Sequence, residues 1–284
     1  MSPLYTIRHP QIALELGIAE LRSLHIHEEI IPGAKEALKR KILDDAVFLD
    51  PIIVDKESRV VLDGMHRVAA SKEIGFRYIP VCYVDYGNPN LFLRSWYRTF
   101  CAPVTVEKAE QVLEGLKLRC SPCAPEEGHI KVQSRKAIAA LCWDSEALVV
   151  DGSTDNIEDM YSRIRDMEEV LRVFVMGYAT EQDARENTHR GVYSGYLETP
   201  CVGKDEVVRV ALADRVFPQK TTRHVIPARP MGVRVRLDWL YGDSGEDELN
   251  ERLNDHLAGT SIKEMPAGTI LDRRYEEPLY VFQW

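Results

Sequence analysis

The sequence of 284 residues contains no apolar run near the roughly 20 residues that a membrane-spanning helix needs. Its N-terminus lacks the basic segment followed by an apolar core that marks a secretory signal peptide. Its six cysteines are too sparse for a disulfide framework in a chain of this length. These absences lead us to expect a cytoplasmic protein without a membrane partner.

The common nucleotide-binding signatures are also missing. The chain contains neither G-x-x-x-x-G-K-[ST] nor G-x-G-x-x-G, and the set of motifs that marks protein kinases is absent. A P-loop, a standard Rossmann site and a protein-kinase fold are therefore disfavoured.

The composition is that of a globular protein, with 45% hydrophobic and 29% charged residues. The net charge of −9 counts against salt-driven binding to nucleic acid, but not against a small anionic ligand. The length suggests about two domains. Short strand patterns alternate with helix patterns, which predicts an α/β fold, with one domain over residues 1–105 and a second α/β domain over 106–284.

The most informative segment runs from Val60 to Arg67. A buried strand ends at Asp63-Gly64, and a helical pattern follows at once. Backbone N–H groups at a helix N-terminus, together with His66 and Arg67, form a favourable place for phosphate groups. Gly64 permits close approach of the backbone, and Asp63 could hold a divalent cation over the phosphates. The alternative is that Asp63 only caps the helix and that His66 and Arg67 are surface residues.

A second segment, from His25 to Glu29, contains two adjacent carboxylates. Glu28 or Glu29 could serve as a general base, and its pKa would rise if it is buried. The alternative is a solvated acidic turn before a helix.

Cys120 and Cys123 lie in a segment rich in proline, glycine and charge, residues 120–128, which we interpret as a loop or linker. Together with His27-x-Glu29 they imitate part of a zinc deaminase pattern. The proline that should precede the first cysteine is replaced by arginine, and the two halves lie 91 positions apart. A lone C-x-x-C is weak evidence for a metal or redox site.

Two further segments carry groups that suit ligand binding. The run Lys220-Thr221-Thr222-Arg223-His224 lies between two prolines and suits a carboxylate or a phosphate. A solvated basic loop has the same composition. The aromatic pair Trp96-Tyr97 would line a pocket or pack between domains.

Taken together, these segments resemble a known family. The strand, Asp63-Gly64-Met65-His66-Arg67 and the helix resemble the phosphate-binding motif of the ParB/sulfiredoxin superfamily. Within that superfamily, the chain resembles the free L-serine kinases from about residue 21 to residue 230. The resemblance rests on four segments in family order: His27-Glu28, the phosphate motif, Trp96-Tyr97, and Phe217-Pro218 with the following run of residues 220–224.

The resemblance implies a ParB/sulfiredoxin-like N-terminal domain and a second domain that closes the substrate cleft. It further implies transfer of a phosphoryl group from ADP or ATP, with Mg²⁺, to the hydroxyl of L-serine, giving O-phospho-L-serine. Glu28 would be the catalytic base and Asp63 a catalytic residue and metal ligand. The nucleotide phosphates would be bound by Gly64, Met65, His66 and Arg67. The serine would be bound by Trp96, Thr221, Thr222, Arg223 and His224.

The chain departs from the family pattern in three places. Met65 stands where archaeal members often have a second histidine, Glu29 follows Glu28 directly, and residues 231–284 extend beyond the compact form of the family. Two other functions remain as alternatives. A ParB-like, nucleotide-dependent DNA-binding or regulatory protein would need a basic face after the nucleotide domain. A sulfiredoxin-like repair enzyme would need a cysteine in the phosphate motif, where Met65 stands.

Overall fold

A computed structural model describes residues 4–152, 154–174, 176–242 and 244–284. The strands in chain order are β1 (Tyr5–His9), β2 (Ile12–Glu20), β3 (Val47–Phe48), β4 (Ile52–Asp55), β5 (Val61–Asp63), β6 (Tyr78–Val84), β7 (Phe92–Arg94), β8 (Tyr97–Phe100), β9 (Cys120–Cys123), β10 (Ala139–Cys142), β11 (Ala147–Val150), β12 (Met176–Ala179), β13 (Gly195–Glu198), β14 (Arg223–Val225), β15 (Arg229–Met231), β16 (Val235–Arg236), β17 (Ser261–Met265) and β18 (Leu279–Gln283). The helices are α1 (Pro32–Asp45), α2 (Met65–Ile74), α3 (Val106–Gly115), α4 (Pro125–Gln133), α5 (Ile157–Leu171), α6 (Glu181–His189), α7 (Lys204–Leu212), α8 (Leu237–Tyr241) and α9 (Glu246–Ala258).

The chain forms two compact units that are discontinuous in sequence. The first unit holds the chain up to Phe92 together with Lys204–Gln219 and His224–Trp284, and the second holds Leu93–Gly203 and Lys220–Arg223. This division differs from a single boundary after residue 105, because late segments pair with early ones. Strand β16 pairs with β3, and α9 packs on β2.

The first unit is built on a five-stranded sheet with the order β1-β2-β6-β4-β5. Strands β4 and β6 run parallel, with α2 in the connection between β5 and β6. Every residue of β4 and β6 is buried, as expected for strands covered on both faces. The Asn250 side chain of α9 accepts a hydrogen bond from the backbone N–H of Ile18, which fixes that helix on β2.

The second unit is built on a six-stranded antiparallel sheet with the order β12-β8-β13-β10-β11-β9. Strands β8, β10, β11 and β13 are buried along their whole length. Helices α3 and α4 both pack against β11, and α6 packs against β13 and β8. The second unit therefore has the α/β composition that the sequence predicts.

Residues 120–128 are not the loop expected from their composition. They form the edge strand β9, which pairs with β11, and then the start of α4. Pro122 is tolerated because it lies on an edge strand, and Pro125 because it is at the first turn of a helix. Among the described helices, none is both long and apolar enough to cross a membrane.

Candidate functional site

The turn between β5 and α2 depends on Gly64. Its φ of 100° and ψ of 20° lie in the left-handed region, and a Cβ placed there would lie 2.5 Å from the Cγ2 of Ile52. Only glycine fits such a position without strain. Asp63 does not cap α2, since Gly64 occupies the N-cap position and makes no side-chain cap. The capping alternative for Asp63 is therefore wrong.

The carboxylate of Asp63 is held by two arginines. Its Oδ2 accepts hydrogen bonds from Arg67 Nη2 at 3.2 Å and from Arg229 Nη1 at 2.5 Å. Burial alone would raise the pKa of Asp63, but the charges of Arg229 and Arg67 outweigh burial and hold that pKa well below its usual range. Asp63 is therefore ionised near pH 7.

Arg229 is a residue of this site that the motif analysis missed. It is only 7% exposed, and its Nε donates to Glu277 Oε1 at 2.7 Å. A buried arginine almost always has an anionic partner, but burial is not visible in the sequence. The presence of an arginine at position 229 is therefore only a weak indication of a functional site. Its partners lie 166 and 48 positions away in the sequence, and no local pattern identifies them.

Arg67 and His66 are fixed by the backbone around them. Nη1 of Arg67 donates to the carbonyl oxygens of Asp50 at 2.8 Å and Pro51 at 3.1 Å. Nε2 of His66 accepts the backbone N–H of Ile31 at 3.0 Å. Because an amide N–H can only donate, Nε2 is unprotonated while this bond holds. Neither residue has the freely solvated position of a surface side chain.

The segment that carries Glu28 is fixed by residue 217. Phe217 donates its N–H to the carbonyl of His27 at 2.8 Å and accepts the N–H of Glu29 at 2.9 Å, with Glu28 and Phe217 forming a parallel bridge. Glu28 is buried, with 7% of its surface exposed, whereas Glu29 is only half-buried. The alternative of a solvated acidic turn is therefore wrong for Glu28.

The same segment runs beside the strand that leads to the phosphate motif. His25 forms a parallel bridge with Val60, and Val61 donates its N–H to the carbonyl of His25 at 2.9 Å. Glu28 and Asp63 each lie three residues beyond this bridge, in two segments that run in the same direction.

Two histidines pack together in the first unit. The rings of His27 and His224 meet edge to face, with centroids 5.3 Å apart, and Tyr86 Oη is 2.8 Å from His224 Nε2. Burial lowers the pKa of His27 to about 4 and holds the pKa of His224 well below its usual value. Both imidazoles are therefore neutral near pH 7.

The run of residues 220–224 is divided between the two units. Lys220–Arg223 belong to the second unit, and His224 belongs to the first. In the second unit, Lys220 Nζ lies 5.0 Å from the centre of the Trp96 ring, and the Arg223 guanidinium carbon lies 5.8 Å from it. Thr221 and Thr222 are both buried. The structure thus brings Trp96 together with the two cations of this run.

The first unit also contains a cavity of about 230 Å³ beside the phosphate motif. Its polar lining includes Asp63, Arg67 and Arg229, and α1 contributes Leu38 and Ile42 to an apolar wall. Further lining comes from Asp272, Arg273 and Tyr275, which follow the last of the family motifs in the sequence.

The two cysteines of the C-x-x-C segment do not form one site. Residues three apart in a strand lie on opposite faces and roughly 10 Å apart, too far for a disulfide. Cys120 and Cys123 occupy the two ends of β9 in this way, and burial raises the pKa of both thiols. Within the residues described, no three His, Cys, Asp or Glu side chains are placed to share a metal ion. The deaminase-like zinc interpretation is therefore not supported.

The chain is similar to characterised proteins over most of its length. An ATP-dependent L-serine kinase of Staphylothermus marinus is 29% identical over 238 residues, which cover 80% of this chain and 92% of that protein. The ADP-dependent L-serine kinase SerK of Thermococcus kodakarensis is 24% identical over 243 residues, which cover 84% and 98% respectively. No model of a protein family matches the chain.

The fold is also similar to that of solved proteins. A structure described as a free serine kinase in complex with AMP superposes with a TM-score of 0.65 at 20% identity, covering 84% of this chain and 95% of that one. These similarities confirm the resemblance to the free serine kinases and the α/β, ParB/sulfiredoxin-like fold that the motifs indicated.

Proposed function

We propose that this chain is a kinase that transfers a phosphoryl group from ATP or ADP to the hydroxyl of free L-serine. The observation that carries the proposal is the parallel course of two segments in the first unit. One ends in the buried carboxylate of Glu28, and the other ends in Asp63 and the turn at Gly64. A general base and a phosphate-binding helix N-terminus are the parts that phosphoryl transfer to an alcohol requires.

We propose that the phosphate groups of the donor bind at the start of α2. Gly64 permits their close approach, Met65 contributes its backbone, and the helix dipole favours negative charge there. Arg67 is already oriented by two backbone carbonyls, so little side-chain entropy is lost when it binds phosphate. His66 lies one residue before Arg67, in the first turn of α2.

The cavity beside this motif fits the remainder of a nucleotide. Its apolar wall, with Leu38 and Ile42 of α1, suits a base, and the arginines at its polar end suit the phosphates. We therefore propose that the donor nucleotide occupies this cavity, with its phosphates toward Arg67.

Mg²⁺ is the metal that this chemistry calls for, and Asp63 fits it in part. Proteins hold Mg²⁺ with one or two carboxylates plus substrate phosphates, not with a complete protein cage. Both arginines bond to Oδ2 of Asp63, and within the described residues no hydrogen bond forms to Oδ1. We propose that Oδ1 holds the ion, which when bound would neutralise phosphate charge. By holding an ion that neutralises phosphate charge, Asp63 would also act as a catalytic residue.

The reaction forms a bond between the serine oxygen and the terminal phosphorus, while the bond from that phosphorus to the leaving phosphate oxygen breaks. We propose that Glu28 accepts the hydroxyl proton as the new bond forms. The carboxylate of Glu28 is buried, and its backbone is held by the hydrogen bonds of His27 and Glu29 to Phe217, which supports its positioning for this step.

We propose that the second unit binds L-serine through Trp96 and the run that follows residue 219. Lys220 and Arg223 both lie over the face of Trp96, and two cations beside this ring support a site there for the serine carboxylate. Thr221 and Thr222 would add hydroxyl contacts. His224 lies in the first unit, where it is bonded to Tyr86 and neutral, and its role in serine binding stays a prediction.

The proposal is tested by incubating the purified protein with L-serine, Mg²⁺ and either ATP or ADP, and recording phosphorus NMR spectra. The resonance of O-phospho-L-serine should appear with at least one nucleotide and not in samples without serine. If it appears with neither, the proposed function is wrong. The cytoplasmic location and the lack of a nucleic-acid partner, both expected from the sequence, stay predictions.

A further inference from the structure

The cavity beside the phosphate motif has a wall that none of the family motifs includes. We call residues 268–277 the C-terminal arm. The arm contributes Asp272, Arg273 and Tyr275 to the lining of the cavity. The sequence motifs that resemble the free serine kinases all lie before residue 230, so none of the motif assignments gives these residues a role.

The arm is an ordered loop. Gly268 donates its N–H to the carbonyl of Tyr275 at 2.8 Å, and Tyr275 donates to Thr269 at 2.9 Å. Tyr275 is 4% exposed and packs with Met231 and Leu279 in a small core cluster. The loop is therefore closed by its own hydrogen bonds and anchored by a buried ring.

The end of the arm is tied to the phosphate motif. Glu277 accepts a hydrogen bond from Arg229, whose guanidinium also bonds to Asp63. This chain of two ion pairs fixes the arm relative to Asp63. The residues of the C-terminal arm that line the cavity are therefore held beside the phosphate motif.

Arg273 is presented to the cavity on this loop. Its guanidinium carbon lies 4.6 Å from the centre of the Tyr275 ring, and its charge contributes to the low pKa of Asp63. Arg67 and Arg229, the other arginines of the lining, are neutralised by Asp63 and Glu277. Within the described residues, Arg273 forms no ion pair with a carboxylate. It is thus a cation of the cavity that is available to an anionic ligand.

We propose that Arg273 binds the phosphate groups of the donor nucleotide. This inference rests on the proposed kinase function and adds a nucleotide-binding residue from the C-terminal arm. A guanidinium presents paired donors that match phosphate oxygens, and stacking on Tyr275 orients them before the ligand arrives.

The test compares Arg273→Ala with Arg274→Ala in the full-length protein. The two arginines are adjacent and both exposed, but only Arg273 lines the cavity. Affinities for AMP, ADP, ATP and adenosine are measured by calorimetry without serine, so that no turnover occurs. We expect Arg273→Ala to weaken binding of the phosphorylated ligands roughly tenfold and to leave adenosine unaffected. Arg274→Ala should match the wild type.

Two results would overturn the assignment. One is an Arg273→Ala protein that binds all three phosphorylated ligands as the wild type does. The other is an equal loss for adenosine and AMP, which would mean that Arg273 shapes the cavity and does not bind phosphate. A wild-type protein that binds no nucleotide would instead refute the kinase proposal and this inference together.

Discussion

The guanidinium of Arg229 lies 2.5 Å from the carboxylate of Asp63, although 166 positions separate the two residues in the sequence. This contact connects β15 to the strand that carries the phosphate motif. Because Arg229 also bonds to Glu277, it connects the motif to the C-terminal arm as well. The charge and the orientation of Asp63 therefore depend on residues far outside its motif.

Replacing Arg229 should destabilise the first unit. Arg229→Gln leaves Glu277, whose side chain is 14% exposed, without its charged partner. We expect a loss of roughly 2 kcal/mol in the free energy of unfolding, moderated because the Asp63 side chain is 37% exposed. Urea unfolding followed by fluorescence measures this. Arg236→Gln, which removes an exposed pair with Asp238, is the control, and equal stability of the two variants would contradict the prediction.

The two adjacent glutamates should behave differently. Glu28→Gln removes the proposed base and should lower kcat by about 10²-fold or more, while nucleotide affinity stays at the wild-type value. Glu29→Gln is the matched control, because it makes the same chemical change at the half-buried neighbour. Rates of phosphoserine formation and calorimetric nucleotide affinities decide the matter. Full activity of Glu28→Gln would exclude Glu28 as the base.

Stability should fall on mild acidification because of His27. Burial lowers its folded-state pKa to about 4, below the value of about 6.5 for an unfolded histidine. Between these values the unfolded chain binds more protons, so stability decreases as the pH falls, by about 1.4 kcal/mol per pH unit for one such group. Unfolding free energies measured between pH 7 and pH 4.5 should show at least this slope, because burial lowers the pKa of His224 as well.

The same prediction has a direct spectroscopic check. The imidazole resonances of His27 should keep their neutral chemical shifts down to pH 5. The resonances of His189, whose side chain is 79% exposed, provide the comparison with an exposed histidine. His27→Gln should reduce the slope of stability against pH. Titration of His27 above pH 6 would contradict the assignment.

Alanine substitutions at Gly64 and Gly75 should differ in how much unfolding free energy they cost. Both introduce backbone strain, but only the substitution at Gly64 also crowds a neighbouring side chain. Both have positive φ, 100° and 91°, but a Cβ at Gly64 would meet Ile52 at 2.5 Å, whereas nothing lies within 4 Å of one at Gly75. Gly75→Ala should cost about 1 kcal/mol of unfolding free energy, and Gly64→Ala should cost more. Gly64→Ala should also weaken ADP binding, which Gly75→Ala should not. The unfolding free energies are measured by thermal and urea unfolding. If Gly64→Ala and Gly75→Ala lose the same unfolding free energy, the contact with Ile52 relaxes at no cost.

Local patterns were enough to predict part of the fold. The helical pattern that directly follows Asp63-Gly64 predicts a helix, and the structure confirms it as α2 at Met65–Ile74. The strand-turn-helix around Gly64 is equally local. The loop predicted from the composition of residues 120–128 is wrong. Proline at the start of a helix and on an edge strand is compatible with regular structure.

The turn at Gly64 and the family motifs can be identified from the amino-acid sequence, because each is a short run of neighbouring residues. The folded structure was needed to establish that Glu28 is buried and Glu29 is half-buried, that Cys120 and Cys123 lie at opposite ends of β9, and that Arg229 neutralises Asp63. These facts depend on which distant segments pack together. Burial and ion pairing are properties of the folded chain, and residue type and spacing alone do not specify them.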